Sequence, residues 1–537
     1  MNEEFNPRSP VQSLSTSSAA RSIADGPRTC LGSTVKISKT GTDTMFYLGI
    51  DRIKRKLSPV RPFLAASILV GLLAGCAAGP DFERPASPDV PSYTKAPLPE
   101  QTASAPTNLG NVQHFSMGAS VSAQWWHSLG SAKLDALVEQ AFQASPTLAK
   151  AKATLRQAQE IYSAKAGATL YPQVDANLGA LRQRTNPSAL GQAGDAREFS
   201  LYNASIGAHY QLDLAGGNRR ALEALAARAD YQRYELEGAQ LTLTANVVTT
   251  AITQARLEGQ IQSTDAILRA MDEQLRITQE RVRLGQAAPY EVLALQTEVE
   301  QTRAGMPLLR KQFQQNEHLL AVLTGQAPGA GGLPTFTMAE FTVPFDLPVV
   351  LPSELVRRRP DIQAAEALLH AANAEYGVAV AKLYPQINIS ASLGSQALTT
   401  GALFGGGSAV WILVGQLTQP LFNPGLPAEK RAALAAFDAA AANYQYVVLE
   451  SLRNVADVLR AVENDAQSLA AQAAADTAAQ GSLESVQTQY KFGANSYVQL
   501  LIAQKQAQQT RIGLIAVQAQ RLSDSAALYQ SMGGGIS

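Results

Sequence analysis

Two periodicities run through this chain. In residues 201–214 the even positions Tyr202, Ala204, Ile206, Ala208, Tyr210, Leu212 and Leu214 are apolar or aromatic, while Asn203, Ser205, Gly207, His209, Gln211 and Asp213 are polar or glycine. The same alternation sets Val174, Ala176, Leu178 and Ala180 against Asp175, Asn177 and Gly179. It also sets Ile387, Ile389, Ala391 and Leu393 against Asn388, Ser390, Ser392 and Gly394. A strand sends successive side chains to opposite faces, so these segments predict strands with one apolar and one polar face. A fourth segment, around residues 410–421, alternates less cleanly.

Elsewhere apolar residues recur in steps of three and four. Leu257, Ile261, Thr264, Leu268, Met271, Leu275, Thr278 and Val282 form one such seam, and Leu452, Val455, Leu459, Val462, Ala466, Leu469 and Ala473 another. A third runs Leu295, Val299, Thr302, Met306, Leu309, Phe313, Asn316, Leu320 and Leu323. Long helices are predicted from about Asn218 to Arg283 and from Ala428 to Lys491. At 1.5 Å per residue each spans roughly 100 Å, too long to wrap a globular core. A sustained 3.5-residue repeat argues that they pack lengthwise as coiled coils. Pro307 falls inside its helix, where proline costs about 3 kcal/mol, and predicts a kink.

The chain also repeats itself. Ser145-Pro146 matches Arg359-Pro360 at an offset of 214, and Leu170-Tyr171-Pro172-Gln173 matches Leu383-Tyr384-Pro385-Gln386 at 213. Leu284-Gly285 matches Phe492-Gly493, and Gly325 matches Gly533, both at 208. One architecture of helix, two strands, long helix, turn and helix is therefore built twice. The duplication divides the chain into a first repeat at 125–333, a linker at 334–350 and a second repeat at 351–537.

Composition narrows the function. Lys+Arg 44 balances Asp+Glu 44, which removes the basic footprint of a nucleic-acid binder. Five scattered histidines and two cysteines supply neither a structural zinc set nor a disulfide framework, so no metal site or cofactor is expected. No G-x-S-x-G, P-loop or His/Glu metal spacing is present, which argues against an enzyme.

The N-terminus indicates a destination. Residues 1–44 are rich in Ser, Thr and Gly without apolar period, and read as an unstructured leader with the translation start at either Met1 or Met45. Arg52, Lys54, Arg55, Lys56 and Arg61 precede the uncharged run 63–74, as in a secretory signal. The run ends in Leu73-Ala74-Gly75-Cys76. A transmembrane anchor is the alternative, but the run falls short of the ~20 residues a span needs. Residues 76–124 then carry seven prolines between Pro80 and Pro106 and read as an extended strap.

Alternating strands fit a soluble sheet with one face on a core, or a membrane barrel with one face in lipid. Four strands cannot close a barrel, and an open edge in lipid leaves backbone groups unpaired. In the membrane reading, closure takes several chains. Three copies give twelve strands around a polar lumen.

These features resemble the outer-membrane efflux proteins, the TolC-like channels, and within them the lipidated OprM-like branch. The residues that carry the resemblance are Trp125-Trp126, the two Tyr-Pro-Gln strand starts, Tyr210-Gln211-Leu212-Asp213-Leu214, Pro420-Leu421-Phe422, residues 493–504, Leu528-Tyr529 and Met532-Gly533-Gly534-Gly535, together with the lipobox-like end at Cys76. It covers about residues 76–537. The implied fold is an α+β membrane protein. A long α-helical coiled-coil barrel crosses the periplasm, and four strands per chain join a trimeric twelve-stranded transmembrane β-barrel. The implied function is a passive duct in the outer membrane of a Gram-negative bacterium, exporting drugs or other toxic small molecules. Its partners would be two further copies, outer-membrane lipid, a periplasmic adaptor and an inner-membrane pump of the resistance–nodulation–division type. Cys76 would be acylated, and residue 77, Ala rather than Asp, implies outer-membrane sorting. A type I protein-secretion channel uses the same duct. A pore-less periplasmic coiled-coil lipoprotein would account for the helices and Cys76, but leaves the four alternating segments without a role.

The resemblance also assigns roles. Leu284-Gly285-Gln286 and Phe492-Gly493-Ala494 would be the periplasmic tips presented to the adaptor; equally, the glycines are helix C-caps. Glu291 would join a threefold carboxylate ring at the tunnel constriction, or is a first-turn acid complementing the helix dipole. Tyr497 would narrow the same constriction or pack between helices. Asn495 and Ile502 stand where OprM-like relatives often carry aspartate, and Ala288 where Ser is common, which implies a constriction more steric or hydrophobic than electrostatic.

Overall fold

The computed structural model describes residues 77–187, 191 and 193–534. In chain order its elements are β1 (His114–Met117), α1 (Ala132–Ala144), α2 (Pro146–Leu170), β2 (Gln173–Thr185), β3 (Arg197–Leu212), α3 (Gly217–Arg283), α4 (Pro289–Leu323), β4 (Asp346–Val349), α5 (Pro352–Leu355), α6 (Pro360–Ala381), β5 (Gln386–Ala397), β6 (Ala409–Thr418), α7 (Gly425–Lys491) and α8 (Tyr497–Ser531). The series α2-β2-β3-α3-α4 recurs as α6-β5-β6-α7-α8. The long helices α3 and α7 have 67 residues each, and the return helices α4 and α8 have 35 each. Equal lengths in both halves are what a duplicated unit leaves behind.

The helix ends repeat as well. Gln286 and Gly285 donate their N–H groups back to the carbonyls of Arg281 and Val282, while Ala494 and Gly493 donate to those of Gln489 and Tyr490. Gln326 with Gly325, and Gly534 with Gly533, make the same pair of bonds. This is the Schellman arrangement, in which a left-handed residue lets the last carbonyls of a helix find donors. Glycine occupies that residue each time, with φ between +71° and +92°.

The three- and four-step seams are the buried faces. Leu257, Thr264, Met271 and Thr278 are buried along α3, Leu295, Val299 and Met306 along α4, and Val455, Leu459, Val462, Ala466 and Leu469 along α7. Helix α3 packs lengthwise on α4 and α6, and α7 on α8 and α6. α4 runs unbroken through Pro307, an exposed position where the missing backbone donor leaves a carbonyl facing solvent.

The largest core lies midway along the helices. There Trp125 stacks on Tyr529 with ring centroids 5.4 Å apart, over Leu134, Val248, Ile252, Leu459 and Leu522. The segment read from sequence as a plain linker is part of this core: Phe336, Phe341, Leu347 and Val349 are buried. Two strands beyond the expected four appear here. β1 and β4 pair in parallel, His114 opposite Asp346 and Met117 opposite Val349. Each spans four residues and one contains Pro348, too little for a period to register. The fourth expected strand, β6, ends at Thr418, two residues before Pro420, which has no N–H for the ladder.

Candidate functional site

The four long strands form one antiparallel sheet in the order β2-β3-β5-β6. Its register places equivalent residues on shared rungs: Ala176 pairs with Ile206, Ile206 with Leu393, and Leu393 with Trp411. This row belongs to the apolar face, where Leu178 is 85% exposed and Trp411 77% exposed. Among the described residues nothing covers these two side chains. On β3 the apolar positions run from Tyr202 to Leu212. Ten steps of ~3.4 Å give about 34 Å along the strand, or roughly 26 Å along the normal at the ~40° tilt of membrane barrels. That height matches the ~25 Å apolar band of an outer-membrane barrel.

The opposite face carries Asp175, Asn177, Ser205, His209, Asn388, Ser390 and Ser392. At its helical end a concavity of about 410 Å³ is lined by Gln173, His209, Asn388, Ser390 and Gln416. At the other end Arg182 and Arg184 point to the apolar side but lie beyond its band, where both pair with Glu198 at 3.2 and 4.0 Å. β2 and β6 bear the outer edges of the sheet, and neither edge has a neighbouring strand among the described residues.

The turns expected to be tips follow the far ends of α3 and α7. Leu284 is 56% exposed and Phe492 79%, and a Cβ on Gly285 or Gly493 would meet nothing within 4 Å. Glu291 lies one turn into α4. Its Oε1 accepts from the Ala288 N–H at 3.2 Å, which makes half of a capping box, since Ala288 has no side-chain oxygen to reciprocate. Its Oε2 is 3.5 Å from the Tyr490 hydroxyl. Tyr490 and Tyr497 pack with centroids 6.0 Å apart, and the Arg281 guanidinium lies 4.9 Å over the Tyr490 ring. Tyr497 is 5% exposed, its hydroxyl has no hydrogen-bond partner among the described residues, and burial pushes its phenol well above the usual range. Asn495 is engaged locally, accepting from the Ser496 N–H at 2.8 Å, and Ile502 is exposed.

The strap is fixed at two points that sequence reasoning did not find. Beside the sheet, Ala78 donates to the Ala215 carbonyl at 2.8 Å. Arg220, 4% exposed, reaches Asp81 and Glu223 at 2.7 Å and the carbonyls of Ala78 and Gly79. Gly79 is necessary here, because a Cβ would lie 2.8 Å from the Gly377 Cα. Glu223 also meets His370 Nε2 at 2.8 Å, and Phe82 stacks on that imidazole at 4.4 Å. Cys76 lies outside the described residues, but Ala77 adjoins Gly216, four residues past the end of β3. Midway along the helices, fully buried Arg521 donates to Leu109 O, Asn111 O, Thr102 Oγ1 and Gln113 Oε1. Burial lowers its pKa, and Asp465 opposes that shift. Asp465 itself is pushed up to about 8, first by burial and then by the hydrogen bond and charge of Asp524. A single arginine, histidine or aspartate on a helix carries no periodic signal. Their roles depend on partners up to 419 residues away.

A profile of the outer membrane efflux protein family matches residues 137–326 and 351–534. The chain is 28% identical over 489 residues to the probable efflux pump outer membrane protein TtgC of Pseudomonas putida, covering 88% of this chain and 96% of that one. It is 31% identical over 457 residues to the pyoverdine export outer membrane protein OpmQ of Pseudomonas aeruginosa, covering 82% and 93%. The solved outer-membrane channel OprN superposes with a TM-score of 0.76 at 26% identity, over 86% of this chain and 99% of that one. The open state of the MtrE outer membrane channel of Neisseria gonorrhoeae superposes at 0.72 and 25%, over 86% and 98%. The chain therefore belongs to the outer membrane efflux protein family, whose members are outer-membrane channels of efflux systems and not enzymes.

Proposed function

We propose that three copies of this chain close a twelve-stranded barrel in the outer membrane and continue it as a helical tunnel across the periplasm. The observation that carries this reading is the sheet: one apolar face of membrane height, one polar face, and two unpaired edges. In lipid each unpaired backbone group costs several kcal/mol, so β2 of one copy must meet β6 of the next. The duct is passive. Small toxic molecules enter at the periplasmic end from an adaptor and an inner-membrane pump of the resistance–nodulation–division type, and leave at the cell exterior.

The exposed turns Leu284-Gly285-Gln286 and Phe492-Gly493-Ala494 contact the adaptor in this reading, supported by their position at the extreme ends of the longest helices. Three copies of Glu291 lie at the constriction, and Tyr497 shapes it by packing against Tyr490. Cys76 carries the lipid. Its support is that Arg220 and Ala215 hold residues 78–81 at the end of the sheet, so an acyl chain one residue before Ala77 reaches the inner leaflet beside the barrel. Purified protein gives a heat-modifiable trimer band and discrete conductance steps in a planar bilayer. A detergent-free monomer that conducts nothing would overturn the proposal.

A further inference from the structure

Within the height of the apolar band, β6 is the strand whose alternation is blurred, and the register shows where the blur falls. Ala409, Trp411, Leu413, Gly415 and Leu417 share the apolar face with Ile206 and Leu393, as an outward strand requires. The other face of β6 carries Val410, Ile412 and Val414 before turning polar at Gln416 and Thr418. These three branched side chains stand on the same face as Asp175, Asn177, His209 and Ser390, and are 44%, 57% and 40% exposed. Membrane insertion does not call for them, because they face away from lipid. Strand propensity does not single them out either, since threonine serves it equally and water favours the hydroxyl.

Their surroundings form a shallow trough. On one rung Asp175 pairs with Gly207, Gly207 with Ser392, and Ser392 with Ile412. With strands ~4.8 Å apart, the carboxylate and the isoleucine stand about 14 Å apart across a floor of glycine and serine. One rung away Ser205 and Gly394 continue that floor toward Val410, and on the other side His209 and Ser390 lead to Val414. Val410 to Val414 makes a rail about 14 Å long. Asp175 forms no hydrogen bond or ion pair among the described residues, and the other fixed charge on this face of the strands is Arg197, opposite Thr185 at the far end.

We propose that Val410, Ile412 and Val414, facing Asp175 across this trough, form a weak binding site for amphiphilic organic cations on the inner wall of the barrel. The site rests on the trimeric-duct reading above. The apolar body of the cargo lies along the rail, where contact removes its surface and that of the three side chains from water. The cationic centre lies toward Asp175, and the hydroxyls of the floor meet its polar groups. Three such troughs line one trimer. A site of this kind holds cargo briefly and shields it from the lipid outside, with no conformational change.

The test uses three probes that separate shape from charge. Tetraphenylphosphonium is an apolar cation, tetraphenylborate is its anionic counterpart of the same shape, and tetramethylammonium keeps the charge without the apolar body. Each is added to the barrel side of single trimers in a planar bilayer, and the concentration that half-blocks the current is read. Tetraphenylphosphonium blocks at the lowest concentration. V410T/I412T/V414T raises its half-blocking concentration about tenfold and leaves tetramethylammonium unchanged. D175N raises it about threefold to fivefold and does not weaken the block by tetraphenylborate. If the triple variant forms no heat-modifiable trimer, I412T alone carries the test, with a shift of about threefold. Equal block in variant and unmodified channels, or tetraphenylborate blocking as well as tetraphenylphosphonium, overturns the site while leaving the duct intact. Absence of conductance from the unmodified protein overturns the duct and the site with it.

Discussion

Leu393 and Ser392 are neighbours in sequence and point to opposite faces of β5. Leu393 is 66% exposed and pairs with Ile206, near the middle of the apolar run from Tyr202 to Leu212. Ser392 pairs with Gly207 on the polar face, opposite a residue without a side chain. If the apolar face meets lipid, L393R places a guanidinium near the bilayer midplane, at a cost of about 2–4 kcal/mol per chain. Three chains carry the change, so the assembled trimer loses roughly 6–12 kcal/mol relative to the unmodified protein. S392R places the same charge in a watery lumen and costs within about 0.5 kcal/mol, as an ordinary surface substitution does. The assay compares trimer band intensity against temperature for the two variants in outer-membrane extracts, with total chain measured by immunoblot. L393R loses its trimer at lower temperature and accumulates poorly in the outer membrane, whereas S392R tracks the unmodified protein. Equal behaviour of the two variants would refute the assignment of faces on which the barrel depends.

Other consequences are smaller in reach. Removing Arg521 as R521M leaves the buried Leu109 carbonyl and Gln113 Oε1 without a donor, which lowers stability by about 2–5 kcal/mol and opens residues 102–113 to limited proteolysis. G285V forces a branched residue into φ +71°, costing about 1–2 kcal/mol of strain with no clash around it, so hydrogen exchange rises at the end of α3 while the melting temperature barely moves. Asp465 has a folded-state pKa of about 8 against an ordinary 3.8, so the folded chain holds a proton that the unfolded chain has released between those values. Stability therefore falls as pH rises from about 4 to about 8, and D465N raises the melting temperature at pH 7.5 and flattens that slope.

Legibility in the sequence followed length and repetition. Three strands of the large sheet showed themselves because seven or more successive residues alternate, and α3 and α7 because their seams persist for many turns. The tip turns were visible because Gly285 and Gly493 recur at a constant offset, and a left-handed cap favours glycine. β1 and β4 were invisible because four residues carry no period. The strap anchors were invisible for another reason. Arg220 and Arg521 look like ordinary helix-surface arginines until the chain returns 139 and 419 residues away to meet them. The rail on β6 was legible only as an irregularity. Its meaning came from the register, which sorted Val410, Ile412 and Val414 from Trp411 and Leu413.

One measurement bears most directly on the whole account: the mass of the detergent-extracted particle by native mass spectrometry. Three chains per particle, with no stable one-chain species, is the result that a sheet with two unpaired edges in lipid requires. A particle of one chain that keeps its β-structure in detergent would contradict it.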